Sequence, residues 1–133
     1  MDRLFNGTSV CFAVITGFLV SVLGGWDKWL HALVLMMVID YITGLIKAWY
    51  TKRLSSVIGF RGIAKKVMIF LIIAVAVVLQ DLIGDALPLR DIIICFYISN
   101  EGLSIIENGS EVLPIPDQLK SALLQLRDKE EEE

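Results

Sequence analysis

Residues 10–23, 30–39 and 67–79 contain no charged side chain, and each stretch runs on into further apolar positions. That feature limits the fold more than any other. A water-soluble chain of this length buries only about two-thirds of its surface on folding, too little to hide three such runs. Apolar residues make up 56% of the chain, above the roughly 45–50% of ordinary soluble domains, while charged residues fall to 20%. The charges are also segregated. Residues 1–100 carry nine Lys or Arg against six Asp or Glu, and residues 101–133 carry three against nine. The net charge of -3 is therefore a basic body joined to an acidic tail. These patterns predict an all-α integral membrane protein with a short polar extension.

Four membrane-crossing helices are expected, over about 4–23, 29–49, 67–83 and 92–106. The first run carries Arg3 ahead of it but has no A-x-A-like cleavage site, so it reads as a retained helix rather than a signal peptide. Gly24 and Gly25 end it, and the following WDKWLH has the tryptophans of an interfacial turn. His31 is read there as an interfacial side chain. Trp49 and Tyr50 mark the far end of the second run. The fourth run, IIICFYISNEGLSII, is short and holds Ser99, Asn100, Glu101 and Ser104; a full crossing is expected, with local thinning or a re-entrant segment as alternatives. Between the second and third runs, TKRLSSVIGFRGIAKK carries Lys52, Arg53, Arg61, Lys65 and Lys66 without an acid, which places this basic loop on the cytoplasmic side. Four crossings then put both termini in the cytoplasm. Residues 1–110 form the membrane domain and 111–133 a cytoplasmic amphipathic helix and acidic tail.

Polar groups inside the apolar runs need partners. On the most lenient insertion scale a carboxylate at mid-membrane costs roughly 2.5–3.5 kcal/mol. Within VIDYITGLIKAWY, Asp40, Thr43, Gly44 and Lys47 fall at i, i+3, i+4 and i+7 and so share one helix face. Lys47 can snorkel to the headgroups; Asp40 is too deep to do so. On the fourth run Tyr97, Glu101, Ser104 and Asn108 share a face, with Asn100 and Glu107 at its border. The polar stripe is open to two readings, a helix–helix contact within the bundle or a face that lines water or meets another subunit. Ser9, Ala13, Gly17 and Ser21 recur every four residues on the first helix, a strip of small side chains suited to close helix packing. Two intramembrane acids in so small a chain favour self-association into homo-oligomers.

Catalytic patterns are missing from the sequence. The single His has no partner spacing, the two cysteines lie in apolar runs without redox or metal-ligand spacing, and GFRGIAKK lacks the G-x-x-x-x-G-K-[ST] phosphate loop. Neither an enzyme nor a cofactor or metal is expected. In the tail, Pro116 and Asp117 suit a helix start, and Leu119, Ala122, Leu123 and Leu126 form its apolar stripe. The stripe can lie on the membrane, pack beneath the bundle or pair with a neighbouring subunit. The closing acidic run disfavours binding to nucleic acid and anionic lipid.

Three segments resemble the small phage holins related to the toxin-secretion holins of clostridia. They are DYITGLIKAWYTKRLSS, with Asp40, Thr43, Gly44, Ser55 and Ser56; GFRGIAKK, with Gly59, Gly62, Lys65 and Lys66; and FYISNEGLSIIENGSEVLPIPDQLKSAL, with Asn100, Glu101, Ser104, Glu107, Asn108, Pro114, Pro116 and Leu119. The resemblance spans about residues 30–125; a tail of four Glu departs from the mixed or basic ends of many holins. It implies a multi-pass protein of the bacterial inner membrane that assembles into non-selective lesions at a timed point. A cytoplasmic endolysin, or a large toxin, then crosses without having to be bound. The rival expectation is a small oligomeric ion channel or transporter that uses intramembrane carboxylates; a scaffold whose tail recruits a partner is a third.

Overall fold

The computed structural model describes residues 2–131. They form five helices: α1 (Asp2–Val22), α2 (Lys28–Tyr50), α3 (Ser56–Ile83), α4 (Leu89–Ser110) and α5 (Asp117–Glu131). The closing acidic run extends to 132–133, outside the described residues.

Each boundary has a local cause. At the end of α1, Gly24 and Gly25 take φ of 84° and 97°, and the Gly25 N–H returns to the Val20 carbonyl at 2.9 Å. Asp27 caps α2 by accepting the Leu30 N–H at 2.9 Å. The α2 terminus closes with Lys52 at φ 58° and with the Arg53 N–H on the Ala48 carbonyl at 2.7 Å. Lysine here occupies the left-handed position that glycine usually fills. Ser55 caps α3 through the Ile58 N–H at 3.2 Å, and Gly84, at φ 87°, ends it.

Packing centres on α4, which lies against α2 most extensively, then α5 and α3; α2 and α3 touch each other sparingly and α1 makes almost no contact with the rest. Leu33 and Met37 of α2, Ile69 and Ile73 of α3 and Ile94 of α4 form the buried core, with Leu23, Phe70, Ile93, Tyr97 and Ile98 against it. The outer surface is apolar. Phe12 and Phe18 of α1, Val38 and Ile42 of α2 and Leu71, Val75 and Leu82 of α3 are all exposed, while Asp40 and Glu101 are buried. Polar inside and apolar outside is the distribution expected in lipid.

The expectation of four crossings does not hold. Among the described residues only α2 and α3 are long and apolar enough to span a membrane, and just 22% and 17% of their apolar windows are buried, unlike core helices of a soluble protein. The apolar part of α1, Asn6–Val22, is shorter, and a span of about 30 Å needs about 20 residues. α4 carries Arg90, Asp91, Ser99, Asn100, Glu101, Ser104, Glu107 and Asn108, too polar a set for a spanning segment. The inference that both termini are cytoplasmic rested on four crossings and falls with it. The basic connection also differs: the chain leaves helix only between α2 and α3 at 51–55, and Arg61, Lys65 and Lys66 lie on α3 itself.

One side chain ties the α1–α2 turn to α4. Arg90 donates from Nε to the Leu23 carbonyl at 2.6 Å, from Nη2 to the Gly25 carbonyl at 3.0 Å and from Nη1 to Asp27 at 2.7 Å. Its hydrogen bonds are the main reason the Asp27 carboxyl lies below the usual carboxylate range, with the Leu30 N–H adding to them and partial burial opposing them. A depressed carboxyl stabilises the fold above its unfolded pKa of about 3.9, and the contribution is lost as pH falls through the lower folded value. A Cβ on Gly24 would lie 2.6 Å from Arg90 Nε, whereas one on Gly25 meets nothing within 4 Å. Both positions carry the positive-φ penalty, so Gly24→Ala should lower the thermal unfolding midpoint in detergent more than Gly25→Ala. Acid titration should show a loss of stability below about pH 4, and Asp27→Asn should remove that step. Circular dichroism reads both.

Candidate functional site: a buried ion triad

Helical spacing turns Asp40, Thr43 and Gly44 toward α4, and Glu101, Ser104 and Asn108 toward α2. Lys66 of α3 enters between them. Its Nζ donates to Asp40 Oδ2 at 2.6 Å and to Glu101 Oε2 at 2.5 Å. Asn108 Nδ2 reaches Asp40 Oδ1 at 3.2 Å and Thr43 Oγ1 at 3.2 Å, and the Thr43 hydroxyl donates to the Asp40 carbonyl at 3.0 Å. Three helices thus meet at one ammonium.

The site holds two carboxylates and one lysine, one more negative than positive group. Glu101 is wholly buried, and its Oε1 has no hydrogen-bond partner. A buried acceptor left unmatched costs about 1–3 kcal/mol, so it marks where the site is incomplete. Beside the triad a cavity of about 570 Å³ opens among the ends of α2, α3 and α4, with Asp40, Lys66, Ser104, Lys47, Arg53 and Lys65 in its wall.

The stripe on α2 and the face on α4 are therefore brought together, and Lys66 is the partner that Asp40 required. Reading Lys66 as part of a loop concealed that role; its place one residue before the charge-free run of α3 was the available signal. Gly44 and Lys47 line the cavity. Asn100 is half-buried and stands outside the triad's hydrogen bonds; Lys52 and Arg61 are exposed and stand outside it too. Ser9, Ala13, Gly17 and Ser21 are exposed on α1, with nothing within 4 Å of a Cβ placed on Gly17, so among the described residues the strip packs against no helix. Of the α5 stripe, Leu123 packs beneath α4, so near Gly102 that a Cβ there would come within 2.8 Å of it, while Leu119, Ala122 and Leu126 are exposed. Arg90 and Asp27 were not singled out by the sequence, since a pairing 63 residues apart leaves no local pattern. No group of three potential metal ligands occurs among the described residues.

Because Lys66 is the only cation among the described residues bonded to both acids, Lys66→Met should destabilise the fold by about 3–5 kcal/mol. Glu101→Gln removes the excess charge and keeps the shape, so it should change stability by less than about 1 kcal/mol. Thermal unfolding in one detergent compares them; equal losses would contradict the assignment of the imbalance to Glu101.

A family model for the bacteriophage holin family matches residues 17–128. The chain is 44% identical over 131 residues to an uncharacterized 14.9 kDa protein in the nagH 3′ region of Clostridium perfringens, covering 97% of this chain and 99% of that one. It is 39% identical over 114 residues to an uncharacterized protein of Listeria monocytogenes, covering 85% and 79%. A probable holin of Bacillus phage phi105 is 38% identical over 88 residues, 66% of this chain and 65% of that one. No solved structure matches. Holins are pore-formers rather than enzymes, and the apolar exterior agrees with a small membrane-associated protein. The chain belongs to the bacteriophage holin family.

Proposed function

We propose that the chain self-associates in the bacterial cytoplasmic membrane into a homo-oligomeric pore, with α2 and α3 as a hairpin whose basic end faces the cytoplasm and with Asp40 and Glu101 beside the polar path. The observation that carries this reading is the buried triad with its unmatched Glu101 oxygen, set next to a cavity in an otherwise apolar exterior. The geometry favours the narrow form, a small oligomeric channel: the intramembrane carboxylates are already paired within one chain, rather than spread along a face broad enough to line a wide hole. Asp40, Thr43, Gly44, Lys47, Glu101 and Ser104 are the residues it would use, with Asn100 at the border.

Family membership favours a second reading, the wide form. In it, assembly opens non-selective lesions at a timed point, and a cytoplasmic endolysin or a large toxin crosses without direct binding. Neither form calls for nucleic acid or a cofactor. The strip Ser9, Ala13, Gly17 and Ser21, unused within one chain, is the surface on which a second copy can pack.

Inducible expression in a bacterium beside a cytoplasmic endolysin without a signal peptide separates the two. Ion leakage with a large cytosolic reporter retained supports the channel; abrupt, endolysin-dependent lysis with reporter release supports the lesion; neither would defeat both. Asp40→Asn should alter leakage or lysis timing more than membrane insertion. Gly17→Leu should reduce crosslinked oligomers at equal insertion, and an unchanged ladder would remove α1 from the contact.

A further inference from the structure

The cavity beside the triad has a neighbour. A second cavity, of about 330 Å³, lies between α2 and α3 and shares Tyr41 and Lys66 with the first. The two differ in chemistry. The first has Lys47, Arg53 and Lys65 in its wall, while the second is lined by Met37, Val38, Ile42, Ile63, Val67 and Phe70. The apolar cavity exists because α4 occupies the packing face of α2 and leaves α2 and α3 only loosely in touch. Val38, Ile42, Ile63 and Val67 are exposed, so it opens outward along the hairpin.

The polar end is built for an anion. Lys66 is neutralised by Asp40 and Glu101, but Lys47, Arg53 and Lys65 make no ion pair among the described residues. Among the described wall residues the acids are Asp40, already bonded to Lys66, and Glu111, which leaves this end net positive. The turn that places Arg53 holds Lys52 at φ 58°, a backbone state that is uncommon for lysine. Trp49 and Tyr50, both exposed, mark the same end of α2 as the level where headgroups lie. A free phosphate would satisfy the three cations and leave the adjoining apolar groove unexplained. An amphiphile fills both.

We propose that this joined pair of cavities is a binding site for one anionic phospholipid, its phosphate held by Lys47, Arg53 and Lys65 and an acyl chain lying in the groove between Val38 and Ile42 of α2 and Ile63 and Val67 of α3. Both cavities fall within the usual 300–1,000 Å³ of ligand sites. The proposal rests on membrane residence and not on which form the pore takes.

The test is native mass spectrometry of the full-length protein in detergent, titrated with phosphatidylglycerol or with phosphatidylcholine of the same acyl chains. One phosphatidylglycerol should be retained in preference to phosphatidylcholine. Replacing two cations in the double variant Arg53→Gln/Lys65→Gln should weaken that retention about thirtyfold. Ile42→Trp, which fills the groove and leaves the cations in place, should weaken it as well. Lys28→Gln, at the opposite end of α2, should change nothing. Circular dichroism verifies that each variant keeps its helix content, and Ile42→Trp decides the matter if the double variant does not fold. Equal retention of the two lipids would overturn the proposal. So would retention unaffected by either site variant, or full displacement of phosphatidylglycerol by inorganic phosphate.

Discussion

The ammonium of Lys66 is the point on which the bundle depends. It belongs to α3, yet its two bonds go to α2 and to α4, and α2 and α3 share little other surface. In a low-dielectric interior such a contact is strong in Coulomb terms and costly to desolvate, so its net contribution to stability is modest while its contribution to register is large. A slide of one helix by a turn would separate the charges by about 5 Å and leave two acids unpaired. Asn108 and Thr43 add to the selection by hydrogen-bonding around Asp40. An apolar contact of equal area would tolerate several registers; this one tolerates a single one.

What the sequence revealed follows the range over which each constraint acts. The faces containing Asp40 and Glu101 were readable because helical periodicity is local. The break at Gly24-Gly25 is local too. Lys66 was obscured because Gly59, Gly62 and four other cations gave its surroundings the composition of a loop. In the structure those glycines sit beneath Tyr41, whose ring atoms would lie 3.2 Å from a Cβ on Gly62. The helix continues through them because close approach there is useful. Arg90 is the only cation between residues 67 and 119, an isolation that could have drawn notice, but its acceptors at 23, 25 and 27 belong to a turn that only the folded chain brings near.

The number of spans was misread for a related reason. Counting apolar runs treats each as a cylinder facing lipid all round. The apolar residues of α4 instead form a stripe, with Ile94, Cys95 and Ile106 buried, and that stripe is consumed in packing on its neighbours. α2 and α3 are different: they contribute core residues on one side and remain apolar on the other, as Ile42, Leu71 and Val75 show by their exposure. Only helices with apolar surface left over after packing are equipped to span.

The polar contacts of α4 lie at its two ends, Arg90 with the α1–α2 turn and Glu101 to Asn108 with the triad, and the apolar core sits between them. A helix pinned at both ends and packed along its middle moves with its partners as one body, and α5 is carried with it through Leu123 and Gly102. α1 is the exception. It is joined to this body by the turn that Arg90 holds, and from Asn6 to Val22 its side chains are exposed apart from half-buried Val20. In the proposed assembly, copies would meet as α2–α5 units, with α1 supplying surface that no other described residue covers. In the proposed assembly the buried carboxylates reach a shared polar path only if the contacts of Lys66 are exchanged for contacts with water or with a neighbouring copy.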